Sequence, residues 1–281
     1  MAALLALSAA VAYGVGDFLG GVAARRVPPS AVVLWAHIVG LGMLVALAPL
    51  VGGDLTPRSL AVGAGAGLLG GVGVTLFYRG LAVGTMSVVA PIAALLSAAV
   101  PVVVGLGAGE RPSTAALAGI GLALGAVVLV SREAPSAVVA NPHRWQALAL
   151  AVAAGLAFGL FFVAIDRAGA AGGDVGIWPL VGARMASVSL FAGLGAARVT
   201  NASLPRGAAG AAVGCGLLDA AANVFYVLAL DHGLLSVVSV LTALYPAGTV
   251  LLARYVLGEH LSAVQRAGLG VAGVAAVLIA L

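Results

Sequence analysis

The sequence predicts an all-α integral membrane protein, with ten transmembrane helices arranged as two inverted five-helix repeats. Three observations predict it. Hydrophobic residues make up 63% of the 281 and charged residues only 8%, against roughly 25% charged in a soluble domain, so the chain cannot clothe a water-facing surface. The apolar residues fall into ten stretches, each near the roughly 20 residues a helix needs to cross a bilayer. The chain is also written twice: Ser87–Leu129 laid on Ser236–Leu278 at an offset of 149 gives 16 identities in 43 positions. Upstream, Phe77-Tyr78 matches Phe225-Tyr226 and Tyr13-Gly14 matches Phe158-Gly159. Duplicated membrane units are a pattern of secondary transporters.

The expected helices are 2–24, 30–51, 59–79, 84–107, 113–131, 145–165, 176–197, 207–230, 234–257 and 262–280. The first is read as a span and not a signal peptide, because it contains Asp17 and because Arg25-Arg26 follows the apolar run instead of preceding it. Breaks fall at turn-forming residues: Pro28-Pro29-Ser30, Gly52-Gly53-Asp54, Arg111-Pro112-Ser113, Asn141-Pro142 and Gly172-Gly173-Asp174. The longest polar connection, 132–144, separates a first unit, 1–131, from a second, 145–281. Five helices per unit is an odd number, so the second unit enters the bilayer from the opposite side, which is the geometric basis of alternating access.

Small residues recur at four-residue spacing at Gly67/Gly71, Gly121/Gly125, Gly155/Gly159 and Gly210/Gly214. In lipid, close backbone approach over such residues supplies helix packing. Pro91, Pro101, Pro179 and Pro246 are expected inside helices as kinks, with Pro246 after Leu244-Tyr245 the best hinge.

All 13 basic residues are Arg, the net charge is +4, and no basic run suggests nucleic acid. The single cysteine, Cys215, allows no intramolecular disulfide. The four His residues form no H-x-x-x-H or H-E-x-x-H pair, so neither an enzyme nor a metal or cofactor is expected.

A charge at mid-helix costs about 2.5–3.5 kcal/mol on insertion scales, so Asp17, Arg184 and Asp219 need partners or a wet cavity. Tyr13 and Asp17 share one face of the first helix. Asp17 reads as a proton-titrating carboxylate or a counter-ion for a cation, or else as a buried acid paired with an Arg. Asp219, Asn223 and Tyr226 lie at i, i+4 and i+7 on the eighth helix, and their counterparts Gly71, Thr75 and Tyr78 form the matching stripe on the third. The two stripes read as cavity walls or as a polar seam between helices. Arg184 pairs with Asp219 or Asp17, or receives a substrate anion. His37 is a packing histidine or a proton relay. Trp35, Trp178, Phe161 and Phe162 are further candidates for an aromatic pocket.

The fourth and ninth helices close on Gly109-Glu110 and Gly258-Glu259, with Gly119 and Gly268 in the helix that follows. The two glutamates read as organisers of the next helix start. These pairs, together with Leu241–Ala253 and the following Gly258-Glu259-His260-Leu261-Ser262, resemble the EamA domain of the drug/metabolite transporter superfamily, once per half. The first half departs from the pattern at Ser97, which stands where Pro246 stands in the second. The resemblance implies a secondary transporter of a small polar or amphipathic metabolite in the cytoplasmic membrane, with proton coupling as one option. It implies a site lined by the first, third, fourth, sixth, eighth and ninth helices, adds Phe158 and Tyr245 to the pocket, and gives His37 and Arg184 the matching places of an anion-binding position. The alternatives are a non-transporting scaffold or receptor, or an intramembrane enzyme. Odd-numbered loops and their flanks hold nine Arg and even-numbered ones three. By the positive-inside rule both termini would lie outside, whereas the resemblance implies both inside.

Overall fold

The computed structural model describes residues 1–130, 143–170, 174–258 and 262–280. The breaks at Asn141-Pro142 and Gly172-Gly173, most of the 132–144 connection, and Glu259 lie outside the described residues. The helices are α1 (Ala2–Ala24), α2 (Pro29–Val51), α3 (Pro57–Val83), α4 (Met86–Gly107), α5 (Thr114–Val130), α6 (Arg144–Ala170), α7 (Trp178–Ala196), α8 (Arg206–Leu230), α9 (Leu235–Thr242), α10 (Pro246–Leu257) and α11 (Ala263–Ala280). Among the described residues eight spans are long and apolar enough to cross a membrane, α9 and α10 counting as one. α5 and α11, at 17 and 18 residues, are shorter and reach about 26 Å at 1.5 Å per residue. They pack on each other.

The expected ninth helix is broken. Pro246 has no N–H to give the preceding turn, so α9 stops at Thr242 and α10 begins at Pro246. Its counterpart α4 runs unbroken through Pro91 and Pro101. Pro179 is not interior: it sits in the first turn of α7, where its missing donor costs nothing.

Helix pairing is reciprocal between the halves. α3 packs on α6 as α8 packs on α1, α3 on α7 as α8 on α2, and α4 on α6 as α9 and α10 on α1. Glycines set several of these approaches. A Cβ at Gly67 would strike the backbone of Ala183 on α7, and Cβ atoms at Gly155 and Gly159 would strike α4 at Ala93 and Val100. Gly121, Gly125 and Gly210 face open space instead, so those spacings do not mark helix contacts.

Even-numbered loops gather at one end of the bundle. The Asp54 amide donates to the Asp174 carbonyl at 2.6 Å, and the Trp178 indole to the Gly53 carbonyl at 3.2 Å. At the other end the Trp35 indole, at the start of α2, donates to Ala202 in the loop between α7 and α8. Neither tryptophan lines the central cavity.

The Gly-Glu step has a physical reading. Gly109, at φ 95°, closes α4 with two reversed bonds, Glu110 N to Gly105 O and Gly109 N to Leu106 O, both 3.0 Å. The turn aims the Glu110 carboxylate at α9, where Oε1 accepts from the Leu235 amide at 2.8 Å and Oε2 from the Ser236 amide at 3.0 Å. Glu110 therefore organises the start of a helix in the other half, not of α5. Its charge meets the positive end of the α9 dipole.

Glu110→Ala should lower the stability of the detergent-solubilised protein by about 1–2 kcal/mol, read as a fall in thermal midpoint. An unchanged midpoint would remove the cap from the account. Gly155→Leu should be far more damaging than Gly121→Leu, since only the first faces a helix backbone. Equal losses in the same thermal scan would contradict the packing described.

Candidate functional site

Six helices and the break between α9 and α10 converge on a cavity at the junction of the halves, which holds about 490 Å³ of empty space counting the part that opens outward. α1 contributes Tyr13 and Asp17, one turn apart on a common face, and α8 contributes Asp219 and Asn223 at the same spacing. α1 reaches α8 closely because Gly16 lies against Leu218 and Asp219. α6 supplies Phe158, Phe161 and Phe162, and α7 supplies Arg184. Ser97 comes from α4, Gly70 and Val74 from α3, and Tyr245 from the break between α9 and α10.

The charges are organised around Arg184, which is buried. Its Nη2 donates to Asp219 Oδ2. Its Nη1 lies 2.8 Å from His37 Nε2. A guanidinium only donates, so Nε2 must accept, which leaves Nδ1 as the protonated nitrogen donating to Ser187 Oγ at 2.6 Å. His37 is thus a neutral support that orients Arg184. The Asn223 amide donates from Nδ2 to the Asp219 carbonyl at 2.7 Å, and its buried Oδ1 has no partner. Among the described residues no hydrogen bond or ion pair reaches the Asp17 carboxylate.

Aromatic rings form the apolar wall. Tyr13 meets Phe162 and Tyr245 edge-on, with centroids 6.2 and 6.3 Å apart. Phe77, behind the wall, meets Phe158 at 5.7 Å. Ser97 donates to the Ala94 carbonyl of its own helix at 2.9 Å.

Seven sequence candidates therefore share the lining: Tyr13, Asp17, Phe158, Arg184, Asp219, Asn223 and Tyr245. Three stand behind it. Tyr78 seats its ring over Gly20 and bonds Cys215 Sγ at 3.0 Å. Tyr226 bonds Ser239 Oγ at 2.9 Å, and its ring stacks on Phe162 at 4.4 Å. His37 lies beyond Arg184. The stripe expected on α3 is rotated: Gly71 turns toward Ser187 and Phe191 of α7, while Gly70 and Val74 face the cavity. Neither had been singled out, since an isolated Gly and Val in an apolar helix carry no signal.

One turn further along α6 and α8, past the Phe162–Tyr226 stack, lies a second cavity of about 750 Å³ on the same measure. Asp166, Asp174 and Asp231 line it, and no basic residue does among the described residues. Burial pushes the Asp231 carboxyl above its usual range; His232 opposes the shift and Asp174 adds to it. Among the described residues no group of three or more His, Cys, Asp or Glu comes together as metal ligands do.

No curated protein matches the chain. Among solved structures, one described only as the crystal structure of a protein superposes with a TM-score of 0.74 at 18% identity, over 99% of this chain and 95% of its own. That likeness establishes a shared fold. The profile of the EamA-like transporter family matches residues 1–132 and again 145–281. With the matches spanning both halves and the helices apolar enough to cross a bilayer, the chain is a multi-pass membrane protein belonging to the EamA-like transporter family.

Proposed function

We propose that the protein is a secondary transporter that moves a small polar or amphipathic metabolite across the cytoplasmic membrane by alternating access. The observation that carries this is the cavity itself, built at the junction of two repeats and holding a carboxylate without a partner. A packing seam would satisfy its own polar groups; this one leaves Asp17 and Asn223 Oδ1 for a guest.

With α9 and α10 counted as one span, ten spans cross the membrane in two five-span repeats of opposite orientation. The Asp54–Asp174 bond supports the inversion, because it joins the loop after the second helix of one repeat to the loop after the first helix of the other. Exchange between two states is supported by the unequal treatment of equivalent positions. Phe162 and Tyr226 stack between the two cavities, whereas of their counterparts Asp17 lines the cavity and Tyr78 is seated on Gly20 behind it. Where transport is proton-coupled, Asp17 is the carrier, since Asp219 is held by Arg184. Tyr13, Tyr245, Arg184 and Asp219 share its cavity, and Tyr78 and Cys215 lie behind it.

Purified protein in liposomes should take up or exchange members of a labelled metabolite panel, and Asp17→Asn should reduce pH-gradient-driven uptake by about tenfold or more. Full gradient-driven activity in Asp17→Asn would end the carrier assignment. For the inversion, Leu55→Cys and Val199→Cys, each in a Cys215→Ala background, should react with an impermeant maleimide from opposite faces of the membrane. Labelling of both from one face would overturn it.

A further inference from the structure

We infer that the cavity receives an organic ammonium cation bearing an apolar group. Asp17 is its counter-ion, Asn223 Oδ1 its hydrogen-bond acceptor, and the rings of Tyr13, Phe158 and Tyr245 face its apolar part. This rests on reading the cavity as the substrate site, and it names the substrate class.

The charges in the cavity decide the sign of the ligand. Arg184 is the one positive side chain among the lining residues, and both of its terminal nitrogens are engaged, with Asp219 and with neutral His37. An anionic substrate would have to break that pair and strand Asp219 in a low-dielectric site. Asp17 is left over. An unpaired, half-buried carboxylate between apolar helices is balanced by a proton or by a cation.

The unpartnered amide atom points the same way. The Asp219 carbonyl fixes the orientation of Asn223, because it can only receive a donor and therefore takes Nδ2. The free atom is Oδ1, an acceptor, in a side chain 2% exposed. A ligand N–H satisfies it, and a carboxylate does not. The aromatic wall takes the ligand's apolar part and offers an anion no counter-charge. Beyond the Phe162–Tyr226 stack, the second cavity presents three carboxylates and, among the described residues, no basic lining residue, a charge balance that also favours cations over anions nearby.

The test is calorimetric titration of the full chain in detergent with three ligands of one shape: phenethylammonium, neutral 2-phenylethanol and anionic 3-phenylpropanoate. The ammonium should bind at least about thirtyfold more tightly than either of the others. Asp17→Asn should remove that advantage and Asp17→Glu should retain most of it. Asn223→Leu should weaken phenethylammonium about tenfold but leave its N-trimethyl analogue, which has no N–H to donate, unchanged. The wild-type comparison needs no variant, so it decides even if Asp17→Asn does not fold. Tighter binding of the carboxylate, no binding of the ammonium, or undiminished ammonium binding by folded Asp17→Asn overturns the inference. Liposome uptake separates this from the transport reading. Uptake of the carboxylate that survives Asp17→Asn sinks the cation assignment and keeps the transporter. A cation that binds tightly but is never taken up keeps the assignment and sinks the transporter.

Discussion

A guanidinium buried within a membrane-spanning helix is the constraint around which the molecule is arranged. Arg184 cannot lose its proton, and a charge there costs several kcal/mol unless it is paired and hydrogen-bonded. Three helices supply what it needs: Asp219 from α8, His37 from α2, and, behind His37, Ser187 from α7 itself. His37 and Arg184 occupy equivalent places in the two repeats, so this network lies where α2 meets its own counterpart α7. Satisfying one buried charge thus fixes how the halves meet. It also uses up Asp219, which leaves Asp17 as the cavity-lining carboxylate that no hydrogen bond or ion pair reaches among the described residues.

The duplication explains both the scaffold and the departures from it. Tyr13 and Phe158 are equivalent residues, and both face the cavity. Asp17 and Phe162 are equivalent too; both line the cavity, one as a charge and the other as a ring stacked on Tyr226. A symmetric scaffold therefore encloses an asymmetric interior. The polar groups cluster on α1, α7 and α8 and the rings mostly on α6, which gives the cavity a charged side and an aromatic side.

Element bounds were legible because turn-forming residues and apolar runs are local signals; α1 falls at Ala2–Ala24 and α8 at Arg206–Leu230, within a residue of the reading from sequence. What the sequence hid is non-local. Pro91, Pro101 and Pro246 look alike in sequence, yet only at Pro246 does the helix stop. Glu110 read as a local cap because capping arguments reach only a few residues, and its partners lie 125 and 126 positions away. In the cavity, helical periodicity identified the right face of α1 and of α8 but not depth. Tyr226 follows Asn223 on the same stripe, but sits a turn further along, where Ser239 takes its hydroxyl. On α3 the equivalent stripe was off by one residue. Gly71 has no side chain to claim the cavity, and the close approach of α7 over Gly67 turns that face away from it.

The short α9 ties these features together. Its N-terminus is held by a carboxylate from the first repeat, its middle carries the Ser239 hydroxyl that holds Tyr226, and three residues past its end Tyr245 enters the cavity. An unbroken helix here would carry Tyr245 in a regular turn, at a position set by the axis of the whole span. The break frees that choice. The Thr249 hydroxyl donates to the Gly14 carbonyl of α1 at 3.1 Å, so the start of α10 is pinned to the helix that bears Tyr13 and Asp17. α9 is pinned to the loop after α4 by Glu110. Each fragment thus belongs mechanically to a different neighbour, and Tyr245, in the break between them, lines the cavity. A single rigid span would place Tyr245 by its own tilt alone, whereas two short fragments with separate anchors place the cavity wall at Tyr245 by its tie to α1, independently of the Glu110 cap on α9 and of the Ser239 hydroxyl bonded to Tyr226.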